Sequence, residues 1–443
     1  MSQSSMPSPP SWQQRLPFYY GWVVAGVAFV TMAIGVNART AFSLLYPAIL
    51  DEFGWDRGAT AGIFAFGFIA SMFITPFVGI LMERFGPNRI IPIGALTVAL
   101  GLGVTPWISS LWQLYISLGV LTVGGSVFVS YIGHTTFLPN WFVRRRGLVV
   151  GLTFSGVGVG GVVLFPLLQD FIGSVGWREA CLGLSFLIVA TIVPLNWFAQ
   201  KRRPEDLGLY ADGEAEPVQT NPSTVRPGLV VDPKWAAIEW TYPKILTTPR
   251  FWALMFAFFF SLFNHYAVQV HQTKYFIELG YGVERSAWAL ALVVLLGIPG
   301  QIFAGFLSDR IGREWAWALA MTGYIVCFIL FITMGHSPSL TLMYASVAAV
   351  GLIGAGTAPL FGTIGADLFG GPQYGRVFGL LGVACSIGAA AGAWVTGELY
   401  DVTGSYELGF TLCIGFAAAS AVCVAIAGPG RVRPVPGRLP NAP

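Results

Sequence analysis

Charge is scarce in this chain. Asp, Glu, Lys and Arg together make up 10% of its 443 residues, against about 25% in an ordinary soluble domain. A chain so poor in charge and 55% hydrophobic cannot cover a water-exposed surface, so a polytopic membrane protein is expected and a soluble enzyme is not. Metal-ligand chemistry is thin as well. The five cysteines (Cys181, Cys327, Cys385, Cys413 and Cys423) are scattered, each within an apolar run, without a CxxC pair or a Cys/His cluster. That spacing excludes a disulfide framework and a zinc site, and neither metal nor cofactor is expected. P-loop, HExxH and nucleophile-elbow sequences are absent, which disfavours an ATP-driven pump and the familiar hydrolases. Gly156-Val-Gly158-Val-Gly160-Gly161 satisfies G-x-G-x-x-G. It lies inside an apolar stretch with no flanking strand, so close helix packing is the better reading.

What the chain has in abundance is apolar length. A membrane span needs about 20 predominantly apolar residues, and twelve such runs occur near 19–47, 58–82, 88–109, 112–137, 147–173, 177–199, 250–277, 283–307, 313–334, 338–366, 375–400 and 405–428. The expected fold class is therefore an all-α membrane protein of twelve transmembrane helices in two pseudo-symmetric six-helix halves. The division is a cytoplasmic disordered tail over 1–18, a first half over 19–200, a linker over 201–249, a second half over 250–428 and a cytoplasmic tail over 429–443. Placing both termini in the cytoplasm puts 19 of the 24 Lys and Arg on that side and leaves Arg39, Arg57, Arg178, Lys274 and Arg285, the bias expected of inside loops. The run Arg144-Arg145-Arg146 is part of this topology signal, and no nucleic-acid partner is expected.

The halves repeat. Gly79-Ile-Leu-Met-Glu83-Arg84-Phe-Gly86-Pro-Asn-Arg89 returns 226 residues later as Gly305-Phe-Leu-Ser-Asp309-Arg310-Ile-Gly312-Arg313. Parallel repeats with a site between them characterise one large transporter class. An acid at a helix end, a guanidinium beside it and a glycine for the turn can latch one face of such a bundle. Glu83, Arg84, Arg89, Asp309, Arg310 and Arg313 are the candidate latch.

Arg39 carries the functional reading. A charge at bilayer depth costs about 2.5–3.5 kcal/mol on insertion scales, so it should face a wet cavity or a partner, and the natural partner of a lone cation is an anion. The 226-residue offset carries Arg39 onto His265, across the pseudo-twofold axis. His265, Gln269 and Gln272 recur at i, i+4 and i+7 and share a helix face, with Asn264 and His271 on the neighbouring stripe. A neutral His265 could take up the coupling proton as a carboxylate arrives, since its ordinary pKa lies near 6.5. Tyr131 and His134 in the fourth run and Gln301 in the eighth complete the candidates, with Asn37 and Ser386 behind them.

The doubled G-x-x-x-[DE]-R-x-G loop resembles the signature of the major facilitator superfamily. Tyr20-Gly21-Trp22, Glu52-Phe53-Gly54-Trp55, Trp141-Phe142, Gly176-Trp177-Arg178 and Tyr400-Asp401-Val-Thr403-Gly404 further resemble the bacterial monocarboxylate and oxalate:formate branch. That resemblance implies a secondary transporter of a small organic anion such as lactate or pyruvate. It also implies alternating access, by proton symport or by anion exchange; the inner membrane, coupling to protons, a monomer and no cofactor are the expectations. Arg39 then stands where animal relatives carry a functional Lys. The family's span-eight Arg falls near Gln301 and its Asp near Gly297, and span eleven holds no Lys. A dicarboxylate wanting two cations is disfavoured. The alternatives are an exporter of amphipathic compounds, from which Val157 in place of the antiporter proline departs, and an anion exchanger of the oxalate:formate type.

Overall fold

The computed structural model describes residues 17–142, 146–213, 232–236, 238, 240–369 and 374–432. The expected N-terminal tail, apart from Pro17 and Phe18, lies outside the described residues, as do Arg144, Arg145, the middle of the linker and most of the C-terminal tail. Among the described residues there is no strand. Twelve helices are long and apolar enough to cross a membrane. They are α1 (Gly21–Phe53), α2 (Arg57–Phe85), α3 (Pro87–Trp107), α4 (Leu111–Thr135), α5 (Arg146–Val175), α6 (Trp177–Ala199), α7 (Pro249–Glu278), α8 (Val283–Ile311), α9 (Arg313–His336), α10 (Leu340–Phe369), α11 (Tyr374–Thr403) and α12 (Glu407–Ala427). Phe73, Phe77 and Phe186 stand more than half exposed on the outside of the bundle, as side chains facing hydrocarbon do.

The signature loop is a one-residue corner. Gly86 and Gly312 break the chain between α2 and α3 and between α8 and α9 at φ of 82° and 103°, a region where a Cβ is strained. Each glycine N–H still bonds back to its helix, on Met82 O at 3.0 Å and Ser308 O at 3.1 Å.

Within each half, the fifth helix lies tight against the first. A Cβ at Gly156 or Gly160 would strike the carbonyls of Phe29 and Ala33 on α1, and one at Gly388 or Gly392 would strike those of Phe259 and Phe263 on α7. The glycine-rich stretch of α5 is thus a small-xxx-small packing face, as its apolar context indicated, and α11 repeats it. Buried polar ties add a modest share. Asn196 donates to Thr31 Oγ1 at 2.7 Å; Trp317 donates to Ser420 Oγ at 3.0 Å, which donates to Ala257 O at 2.8 Å. Such bonds average roughly 0.6 kcal/mol each in a membrane.

The fourth helix of each half is not regular. α4 loosens into wider π-type turns over Tyr115–Gly124 and breaks at Ser130, which is extended at ψ −172° before helix resumes at Tyr131. α10 does the same over Ala349–Ile353. Such loosened turns concentrate at functional sites; Tyr131, just past the break in α4, and Val350 in α10 line the space between the halves.

Between the halves, α2 packs along α11 and α5 along α8. The end opposite the chain termini, the distal end, is pinned. Arg57 Nη1 donates to Glu278 Oε2 at 3.0 Å and Arg57 Nη2 pairs with Glu278 Oε1. Lys274 donates to Asp51 at 2.6 Å. Asp401 caps α2 from the other half, accepting from the backbone N–H of Arg57 at 2.9 Å and of Gly58 at 2.5 Å. At the terminus-bearing end, among the described residues, no ion pair joins the two halves. Glu83 takes Arg203 at 3.1 Å. Arg313 takes Asp309 at 2.6 Å and Asp367 at 3.1 Å. Arg310 lies over Phe306 and Arg84 near Phe85, so none of the latch candidates bridges the halves in this conformation.

Candidate functional site

A cavity of about 130 Å³ lies between the halves. Its first wall is α1, which brings Arg39 and Thr40; opposite stands α7, with His265, Gln269 and Gln272. Tyr131 enters from the break in α4, Gln301 from α8 and Tyr324 from α9. The remaining lining is aliphatic, chiefly Val36, Val157, Leu290, Val293 and Val294.

The pseudo-twofold is visible in the hydrogen bonds. Ser43 Oγ donates to Gln269 O at 2.6 Å, and the two residues are 226 apart. Gln269 Nε2 donates to Thr40 Oγ1 at 3.0 Å. These bonds lock α1 to α7 at the level of Arg39 and set Arg39 and His265 on opposite walls.

Arg39 is half-buried, and its Cζ lies 5.6 Å from the Phe68 ring centre. Its Nε is buried without a hydrogen-bond partner. Its field reaches Tyr131, His265 and Tyr266. Among the described residues no carboxylate lines the cavity, and no ion pair is formed by Arg39. A guanidinium in that position attracts an anion, because nothing else there neutralises it. His265 Nδ1 stands 3.0 Å from the Tyr324 hydroxyl, so the ring is oriented and its other nitrogen is free of that bond.

Of Arg39, Tyr131, His265, Gln269, Gln301, Asn264 and His271, which the sequence put forward for binding, the structure gathers the first five on one cavity and leaves Asn264 and His271 off it. Asn264 Nδ2 donates to Phe260 O within its own helix at 2.8 Å. His271 is used on both nitrogens, with Nε2 2.8 Å from Ala393 O and Nδ1 3.3 Å from the Tyr406 hydroxyl. Tyr406 also receives Arg57 Nη1 at 2.8 Å, so His271 ties α7 to α11 beneath the distal pins. His134 is buried off the cavity, with Nδ1 2.9 Å from Ser130 O. Asn37 Nδ2 bonds Ala33 O and Val157 O, at 2.7 and 2.8 Å, and joins α1 to α5. Tyr324 also lines the cavity and was not put forward, and Gln272, named on the shared helix face but given no binding role, lines it too. For Gln272 the signal was present, since it shares the stripe of His265 and Gln269; a lone tyrosine in an apolar run gives no such signal. No group of three or more His, Cys, Asp or Glu among the described residues is placed to hold a metal.

Two helical halves and a polar cavity between them define a membrane transporter rather than an enzyme. The chain belongs to the major facilitator superfamily, whose family profile, described as Major Facilitator Superfamily, matches residues 26–361 and 278–443. Monocarboxylate transporter 13 of Rattus norvegicus is 25% identical over 407 residues, covering 91% of this chain and 87% of that protein. Monocarboxylate transporter 11 of Mus musculus is 26% identical over 408 residues, covering 90% and 85%. Among solved structures, a bacterial homologue of the human lysosomal transporter Spinster, in an inward-facing and occupied conformation, superposes with a TM-score of 0.68. Its identity is 15%, with 92% of this chain and 97% of that one covered. A variant of the nucleoside transporter NupG gives 0.69 at 11% identity, covering 92% and 99%. At those identities the two structures share the fold.

Proposed function

We propose that this chain is a secondary transporter of a small monocarboxylate, working by alternating access in the cytoplasmic membrane with both termini inside. The observation that carries the reading is Arg39, a guanidinium without a counter-ion among the described residues, on the wall of a cavity between the halves. Arg39 takes the carboxylate; Tyr131, Gln269 and Gln301 offer hydrogen bonds; His265, oriented by Tyr324, takes the coupling proton. A neutral amide at Gln301 leaves the cavity with one permanent cation, which suits one carboxylate. Size agrees: a cavity of about 150 Å³ holds benzene, about six heavy atoms, and lactate or pyruvate has a similar count. The names of the curated relatives point the same way. With the distal end pinned and the termini inside, this conformation is the inward-facing one. The latch residues around Gly86 and Gly312 are assigned to the opposite conformation, in which the terminus-bearing end closes.

Labelled lactate or pyruvate in proteoliposomes tests the reading. Charge-assisted hydrogen bonds contribute about 1.5–3 kcal/mol, so Arg39→Gln should lower kcat/KM by at least about tenfold, while Arg39→Lys keeps part of it. If both variants move and bind the anion like the parent, the carboxylate reading fails. The lack of a carboxylate facing Arg39, among the described residues, favours exchange as a second coupling mode. An empty carrier would then return with its charge uncompensated, whereas a loaded one is neutral. Counterflow that persists without a proton gradient separates exchange from symport.

A further inference from the structure

About two turns of α7 before Glu278, His271 is joined to Arg57 by a chain of hydrogen bonds that runs in one direction. Its Nε2 lies 2.8 Å from Ala393 O; a carbonyl can only accept, so Nε2 carries the proton. Nδ1 then holds the lone pair and accepts from the Tyr406 hydroxyl at 3.3 Å. The oxygen of that hydroxyl receives Arg57 Nη1 at 2.8 Å. Donors and acceptors match only while the ring is neutral. A second proton, on Nδ1, would take away the acceptor of the hydroxyl and set an imidazolium and a guanidinium against one oxygen.

The ring sits on the seam between the halves. Ala393 and Tyr406 belong to its own half, whereas Arg57 and the Tyr46 ring, 5.6 Å away and edge-on, belong to the other. With the distal end shut, His271 is 0% exposed and Arg57 is the charged group whose field reaches it. The other charges nearby are spent or lie outside. Glu278 pairs with Arg57, Asp401 caps the backbone there, and Lys274 holds Asp51. Tyr275 gives its hydroxyl to Phe331 O, and Glu284, Arg285, His336, Glu398 and Glu407 are exposed. No carboxylate is bonded to the ring, so the shut form keeps it neutral. Parting the halves removes Arg57 and Tyr46 and brings water to the ring. We infer that His271 is a proton-sensitive switch in the distal closure: acid on that side protonates it, frees Arg57 from Tyr406 and favours the form in which that end is open. Any cargo of the central cavity would meet the same switch, so the carboxylate reading is not at stake.

A proton that only the open form accepts shifts the balance toward that form as pH falls. With an ordinary imidazole pKa near 6.5 in the hydrated form, the open-to-shut ratio should rise roughly tenfold between pH 8 and 5.5. Amide hydrogen exchange of the full chain in nanodiscs reads it at residues 56–60, where the Arg57 and Gly58 amides are held by Asp401 of the other half. At each pH the parent is compared with His271→Gln, whose amide can keep both hydrogen bonds and does not titrate, so intrinsic exchange rates cancel. The parent-to-variant ratio should rise at least about threefold from pH 8 to 5.5. A smaller change overturns the inference, and so does an offset equal at both pH values, which is what lost packing alone would give. Should the variant not fold, a chain carrying His265→Gln and His336→Gln leaves His271 as the histidine near the distal end. Its exchange at 56–60, normalised to the Gly312 corner, should rise by the same factor, and a flat profile overturns the inference.

Discussion

Arg57 holds the distal end with a set of contacts whose loss can be sized. Its guanidinium makes two bonds to Glu278 and one to Tyr406 at 2.8 Å, and stacks 3.6 Å above the Tyr400 ring centre. Arg57 is 13% exposed and Glu278 33%, between a surface pair, at about 0–1 kcal/mol, and buried charge-assisted bonds, at about 1.5–3 kcal/mol. Taking about 1–2 kcal/mol, Arg57→Gln should raise the population with an open distal end by roughly 5- to 30-fold. Amide hydrogen exchange reads that population directly. The N–H groups of Arg57 and Gly58 are satisfied by the Asp401 side chain of the other half, so they exchange when the halves part there. In nanodiscs, peptides spanning 56–60 of the variant should exchange faster by that factor, while the corner at Gly312 stays protected. Unchanged exchange at 56–60, within about twofold, would mean that Arg57 does not hold this end shut.

Two further outcomes follow from the packing and the site. Gly392→Leu should lower the melting temperature of the purified protein, because the new side chain meets the Phe263 backbone and overpacking costs about 1–3 kcal/mol. Gly415→Leu, on an open face, should not. His265→Gln should abolish accumulation driven by a proton gradient and spare counterflow; gradient-driven uptake that survives intact would remove His265 from coupling.

Much of the fold was legible because bilayer thickness dictates run length. The sixth run was expected over 177–199, and α6 spans Trp177–Ala199. The first was expected to stop at 47, whereas α1 continues to Phe53. Asp51 and Glu52 interrupt the apolar pattern there, yet each carboxylate is held by a cation, Lys274 and Arg178. The repeat offset located the α1–α7 pairing to the residue, as the Ser43–Gln269 bond illustrates. It could not say which of two adjacent stripes on α7 faces the cavity. Neighbouring positions differ by about 100° around the helix, and α7 is polar on both stripes. One of them, with Asn264 and His271, is spent on helix ties. Which amides remain unpartnered, as Gln272 Nε2 does, depends on distances that no spacing rule supplies.

The loosened turns of α4 and α10 have a mechanical consequence. Tyr131 follows directly on the tightened turn and break of α4, and Val350 lies within the loosened turn of α10; irregular turns bend more readily than continuous helix. The two compliant stretches occupy matching places in the repeat, so the enclosure yields evenly from both sides, like a pouch rather than a mould. On the carboxylate reading proposed above, the bulk of the cargo's tail would be limited by how far these walls give, while its headgroup would be held between α1 and α7.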